Sequence, residues 1–306
     1  MRQFKRKSLL VLSVFFVSLA FLLFNADFLR KSRHNTIAIG GKNCTEQHIL
    51  GEMLSQLIEA RTDLKVERRF NLEGTILCFN GLISGDIDVY TEYTGTGFVH
   101  LLKEPPLENA EESMRYLRDE FLSRYDLKWL DPFGFNNTYT LIVDTDFAEQ
   151  NNVKSISALI RYMQNNPCVV AIDPEFSSRP EWAALKVAYA MPNSLQPMIM
   201  DQALLYFTLH RSKVDVISGF STDSNLHSPR FFLLEDDRHS FPPYAAAPLV
   251  RSDTLERFPP LSEVLNLLHA KISDAEMRRM NHAVEQQGRR VEIVSREFLQ
   301  KKSLLL

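Results

Sequence analysis

The chain has 306 residues, 45% of them apolar and 24% charged, which marks a globular protein of about two domains of ~150 residues each. Residues 1–34 hold seven basic residues and one acidic, leaving 28 basic against 37 acidic in the remainder; that net charge of −9 speaks against a nucleic-acid partner. The three cysteines, Cys44, Cys78 and Cys168, are odd in number and lack CxxC or metal-like spacing. They indicate neither a disulfide framework nor a zinc site and read as small buried apolar residues.

Arg2, Lys5, Arg6 and Lys7 precede an uncharged run from Ser8 to Phe24 in which only three serines interrupt the apolar residues. This is the pattern of a secretory signal or an uncleaved membrane anchor, and its 17 residues do not decide between the two. Export of the folded part of the chain is the expectation. From Thr36 the chain reads as a strand (36–40), a helix with apolar residues at Ile49, Leu50, Met53, Leu57 and Ile58, and a strand near 66–70. A helix over 74–83, a strand over 86–90 and a polar-faced helix over 108–125 come next.

A second series has strands at 139–143, 169–172 and 214–217, with helices after Pro180 and near 201–209. Beyond the turn Phe241-Pro242-Pro243-Tyr244 comes a strand (245–250) and then, after a break at Pro259-Pro260, helical stretches from Leu261 to the end. Strands alternating with helices define an α/β protein with parallel or mixed sheets, and the second series reads as a second lobe.

The residues show no enzymatic constellation: no glycine-flanked nucleophilic serine, no HExxH and no metal-spaced cysteine pair. Gly40-Gly41-Lys42 lacks the earlier glycine and the following Ser or Thr of a phosphate loop, since Asn43 follows the lysine. Cys44 and His48 stand one helical turn apart but lack an orienting third group, so a solvated histidine beside a buried cysteine is expected. Glu235, Asp236, Asp237 and His239 read as solvated turn residues or as contacts holding a crossover, rather than a cation site.

Several stretches resemble one family, the substrate-binding proteins of glycine betaine, choline and carnitine ABC importers. They are Gly41-Lys42-Asn43-Cys44-Thr45-Glu46-Gln47, Glu92-Tyr93-Thr94-Gly95-Thr96, Gly134-Phe135-Asn136-Asn137-Thr138-Tyr139, Gly219-Phe220-Ser221-Thr222-Asp223, and Glu235-Asp236-Asp237 with Phe241-Pro242-Pro243-Tyr244. The resemblance implies a two-lobed periplasmic-binding-protein fold of type II, whose chain crosses twice between lobes at a hinge. One lobe would be residues 35–137 plus 240–306 and the other 138–239, with 1–34 the signal peptide or anchor.

The resemblance also implies a ligand site. Tyr93, Tyr139, Phe220 and Tyr244 would form an aromatic box for a trimethylammonium head, and Lys42, Thr96 and Arg179 a grip for a carboxylate. Asn137 would support the cation end through its backbone carbonyl. A quaternary ammonium has no N–H to donate, so only ring faces and apolar contact can hold it; a guanidinium fork, an ammonium and a hydroxyl suit a carboxylate. Two positions depart from the family pattern: Phe220 stands where tyrosine is usual, and Cys44 where phenylalanine is usual.

The resemblance thus implies a non-enzymatic, cofactor-free, extracytoplasmic solute-binding subunit. Its partners would be a small quaternary-ammonium ligand and the permease and ATPase of an ABC importer, and its localisation the periplasm or the outer face of the inner membrane. A choline- or carnitine-preferring protein and a membrane-anchored ligand sensor are the alternatives.

Overall fold

The computed structural model describes residues 35–107, 109–192 and 195–305; the apolar run Ser8–Phe24 lies outside them. Among the described residues no helix is long and apolar enough to cross a membrane. The described residues make two five-stranded mixed sheets, each the centre of one lobe.

Strand β1 (Thr36–Lys42) places Ile37, Ala38 and Ile39 out of contact with water. An uninterrupted apolar run of this kind suits a strand covered on both faces. Helix α1 (Thr45–Arg61) buries Ile49, Leu50, Met53, Leu54, Leu57 and Ile58, the three-and-four spacing of one helical stripe. Next come β2 (Lys65–Leu72), α2 (Gly74–Ser84), β3 (Val89–Tyr93), α3 (Ala110–Tyr125) and β4 (Leu127–Trp129). Gly85, in the left-handed region at φ 80°, ends α2, and the Asn109 side chain caps α3 by accepting from the backbone N–H of Glu111 and Glu112.

The second lobe comprises β5 (Tyr139–Asp144), α4 (Thr145–Gln150), α5 (Ile156–Met163), β6 (Val170–Ile172), α6 (Pro174–Ser178), α7 (Pro180–Ala188), β7 (Met198–Ile199), α8 (Gln202–His210), β8 (Val216–Phe220) and β9 (Phe231–Leu233). The chain then returns to the first lobe with β10 (Ala246–Arg251), α9 (Ser252–Arg257), α10 (Pro260–Asn266), α11 (Asp274–Glu285) and α12 (Val291–Lys301). Sheet orders are β2-β1-β3-β10-β4 and β7-β6-β8-β5-β9. β10 runs antiparallel to β3 and β4, and β5 antiparallel to β8 and β9.

The two chain crossings are tied to one another. Asn136 bridges Ala245 in antiparallel fashion, and the N–H of Asn137 donates to the carbonyl of Tyr244 at 3.1 Å. Thr94, just past β3, donates its hydroxyl to the Pro243 carbonyl (2.9 Å) and accepts from the Ala245 N–H (3.0 Å).

Several boundaries differ from expectation. The strand expected at 86–90 is β3, displaced three residues onward, because its second half alternates with polar Thr91 and Glu92 that are nevertheless buried. The strand expected at 214–217 runs 216–220 as β8, and the terminal helical region is three helices beyond Pro259, preceded by α9. β4, β7, β9 and α4 to α6 are not legible in the sequence; at two to eight residues they are too short for a period to declare itself.

Asp88, just before β3, is buried and accepts from the Ala38 N–H (2.8 Å), the Thr254 hydroxyl (2.9 Å) and Arg257 Nη2 (3.2 Å). One carboxylate thereby joins β1, β3 and α9. Asp88→Ala strands these donors and is expected to lower the unfolding free energy by about 2–3 kcal/mol, read as a shift of the urea midpoint with an unchanged slope.

Candidate ligand-binding site

Strand β3 ends at Tyr93, whose ring is fixed from behind: its hydroxyl donates to Glu46 Oε1 at 2.6 Å. The chain then turns through a short helical segment, Thr94–Thr96, into a π-helix, Gly97–Leu102. Gly95 is required there, because a Cβ at that position would lie 2.3 Å from Cζ of Tyr244. The Tyr244 ring lies flat on this glycine while its hydroxyl reaches Glu181 Oε1 of α7, in the other lobe, at 2.6 Å.

From the second lobe, register supplies the rings. Tyr139 opens β5 and Phe220 closes β8, and the two are directly paired residues of the antiparallel ladder. Their ring centroids are 4.5 Å apart, tilted by 36°, and Phe176 of α6 stacks on Tyr139 from behind at 4.4 Å. The turn after β8 is held by Asp223, which accepts from the Phe220 N–H (2.9 Å) and the Tyr206 hydroxyl (2.8 Å).

Arg179 is the single residue between α6 and α7, both of which begin with proline. A residue preceding proline is held extended, here at φ −79° and ψ 148°, and this joint carries the guanidinium over the Tyr139 ring, 5.3 Å from its centroid. Asp173, capping α6, fixes the start of the segment by accepting from Phe176 N–H at 2.8 Å.

All eight residues expected at the site, Lys42, Tyr93, Thr96, Asn137, Tyr139, Arg179, Phe220 and Tyr244, line one cavity of about 470 Å³ between the lobes. Tyr93 and Phe220 stand at the carboxyl ends of their strands, the end at which open α/β sheets present their crevice. Burial raises the phenols of Tyr93, Tyr139 and Tyr244 well above their ordinary range, with the Glu181 carboxylate adding to the shift at Tyr244. The rings are therefore neutral at physiological pH and offer π faces to a cation.

The cations are already partnered. Lys42 Nζ lies 2.6 Å from Glu92 Oε1, whose side chain has no exposure, and 5.1 Å from the Tyr93 ring centroid. Arg179 donates to Glu175 and stands 3.6 Å from Glu181 Oε1. The side chain of Asn137, rather than standing idle, donates to Glu46 Oε1 at 2.9 Å. The acids Glu46, Glu92, Glu175 and Glu181 escape sequence reasoning because a grip for a carboxylate gives no reason to look for carboxylates. His100, on the π-helix and also lining the cavity, escapes it too; burial lowers its pKa. A π-helix next to a cleft is the one structural signal that marks it.

Elsewhere the expectations divide. Cys78 is buried, but Cys44 is exposed at the entry to α1 and Cys168 is half-buried, because neither of these two side chains faces a core. His48 is half-buried and stacked on Phe70, with centroids 5.8 Å apart, rather than solvated. In the acidic turn, Asp236 accepts from the Tyr189 hydroxyl and the Phe241 N–H, and Asp237 from the Ser157 N–H, so these residues hold the returning crossover against the second lobe.

Residues 35–301 match the family described as the substrate binding domain of ABC-type glycine betaine transport systems, and the chain belongs to that family. It is similar to the carnitine transport binding protein OpuCC of Listeria monocytogenes, 32% identical over 303 residues and 97% of each chain. It is also similar to the glycine-betaine-binding protein of Pseudomonas aeruginosa, 29% identical over 88% of this chain and 89% of that one. Among solved structures, a glycine betaine/carnitine/choline ABC transporter protein superposes with a TM-score of 0.81 at 28% identity, covering 88% of this chain and 99% of that chain. The unliganded YehZ protein of Escherichia coli does so with a TM-score of 0.76 at 26% identity, with the same coverage. Members of such a family bind small ligands and work with a permease and an ATPase, and the fold is the two-lobed type II arrangement.

Loss of surrounding water pushes Asp223 up to about 6, against the opposing effect of the hydrogen bonds from Phe220 and Tyr206. In an unfolded chain the same group titrates near ~3.9, so folding favours the protonated form. Its contribution to stability is full below about pH 4 and is lost as pH rises through about 6. Thermal unfolding of the wild type and Asp223→Asn across pH 3.5–7.5 should show the wild type losing stability relative to the variant between about pH 4 and 6, with a constant gap above that.

Proposed function

We propose that this chain is the extracytoplasmic solute-binding subunit of an ABC importer and that it captures glycine betaine or a close carboxylated relative such as carnitine. The supporting observation is a single cavity in which ring walls from both lobes meet a guanidinium, with Arg179 lying 5.3 Å from the Tyr139 centroid. Tyr93, Tyr139, Phe220 and Tyr244 receive the trimethylammonium head, each desolvated ring contributing up to ~2 kcal/mol. Arg179 and Thr96 take the carboxylate, with Lys42 adding positive potential from its pair with Glu92, and the Asn137 carbonyl faces the cation end.

Membership of the two sheets supports lobe boundaries near 137/138 and 239/240. A ligand touching both walls favours the closed arrangement, which the permease would recognise before the solute passes through the membrane at the expense of its ATPase. Residues 1–34 would export the chain or anchor it at the outer face of the inner membrane.

One observation favours a second reading. Both basic residues already hold carboxylates, so an uncarboxylated cation such as choline would find the cleft electrically satisfied. Calorimetric titration of the purified full chain with glycine betaine, carnitine, choline and proline ranks these ligands. The expected result is micromolar or tighter binding of a betaine, weaker choline and no proline; tight choline with no betaine would assign the second reading.

Substitution tests the walls separately. Tyr139→Ala and Tyr244→Ala are each expected to weaken every trimethylammonium ligand about tenfold or more. Arg179→Ala should weaken glycine betaine far more than choline, and equal losses for the two would remove the carboxylate grip from the proposal.

A further inference from the structure

We propose that Glu175 is an internal counter-ion which the ligand's own carboxylate displaces from Arg179, and that it sets the preference of the cleft between carboxylated and uncarboxylated ammonium ligands. The inference deepens the function proposed above and rests on it.

Glu175 and Arg179 lie one turn apart across the end of α6. Arg179 Nε donates to Glu175 Oε1 at 3.1 Å, and Nη2 donates to the same oxygen. The partners are unequally placed: the Arg179 side chain is 17% exposed and that of Glu175 is 64% exposed. The cation is thus held in the cleft by packing on Tyr139, and the anion is the solvated, replaceable member of the pair. Both line the same cavity, so a carboxylate arriving there meets the guanidinium where Glu175 now holds it.

The other pairs of the cleft do not offer this exchange. Glu92 has no exposure and also accepts from the Tyr90 hydroxyl (3.1 Å) and the Tyr93 N–H (2.7 Å), so Lys42 cannot change partner without stranding a buried charge. Glu181 is committed to the Tyr244 hydroxyl at 2.6 Å and stands 3.6 Å from Arg179 Nη1, beyond hydrogen-bond reach. Glu175, 64% exposed, keeps most of its water on leaving the pair, which is the property a displaceable partner needs.

The exchange makes opposite demands on two ligand types. A betaine replaces one carboxylate on Arg179 by another, and Glu175 is its competitor. Choline brings no anion, so Glu175 must stay in place to offset the guanidinium beside the incoming ammonium. Removing the charge at position 175 therefore helps the first ligand and hinders the second.

The test is calorimetric titration of the purified full chain and its Glu175→Gln, Arg179→Ala and doubly substituted forms with glycine betaine and with choline. The expected result for Glu175→Gln is a Kd for glycine betaine about threefold lower with a Kd for choline that rises. In the Arg179→Ala background the same substitution should move neither ligand, because Glu175 acts only through Arg179. Absence of a shift, a shift of both ligands in one direction, or an effect that survives without Arg179 overturns the proposal while leaving the solute-binding role intact. Failure of the unaltered protein to bind either ligand overturns that role, and the counter-ion with it.

Discussion

A carboxyl group cut off from water has to be given its donors by the protein, and at Glu46 they come from three distant parts of the chain. Tyr93 donates from the end of β3, Asn137 from the first crossover, and Asn281 from α11 at 3.1 Å. Asn281 also reaches the Thr222 carbonyl of the second lobe at 3.0 Å. Burial raises the pKa of Glu46 despite these donors. The cleft wall, the hinge and the far lobe are thereby referenced to one group on α1; Tyr93 is positioned by that network, Tyr139 and Phe220 by the strand register opposite, and Tyr244 by Gly95 and Glu181. In the low dielectric of the interior each of these bonds is electrostatically stronger than it would be in water.

The charges of the cleft obey a related logic. Two basic side chains line the cavity beside the aromatic rings, and isolated cations there would repel the ammonium ligand proposed for it. Each is instead paired, Lys42 with a carboxylate that has no exposure and Arg179 with one that is mostly solvated. The first pair is buried in the wall, and the second is the one the proposed exchange opens to competition. In the proposed function the neutral rings between them set the affinity for the head group, and the guanidinium sets what the tail must carry.

Where the sequence reads clearly and where it does not can be traced to particular residues. β1 and α1 are legible because Ile37, Ala38 and Ile39 form an unbroken apolar run and the helix repeats its apolar residues at three and four. β3 lies onward of its expected place because Thr91 and Glu92 look like surface and are core. Cys44, expected to be buried, sits at the exposed entry to α1, and the cleft carboxylates are invisible in the sequence because nothing local distinguishes Glu181 from any solvated glutamate.

The amino-acid sequence by itself determined the α/β alternation and, through five stretches in order, the family and the eight residues that meet in the cavity. Local periodicity is sufficient for the first, since it is written along the chain, whereas the family and the eight residues come from the resemblance of those stretches to a known family. Only the tertiary structure decided which side chains partner those eight. Tyr139 and Phe220 are 81 residues apart and become neighbours through strand register, and Glu46 meets Asn281 across 235 residues. Pairings of this kind are set by how two sheets and two crossovers close on one another, a long-range condition that no window of sequence contains.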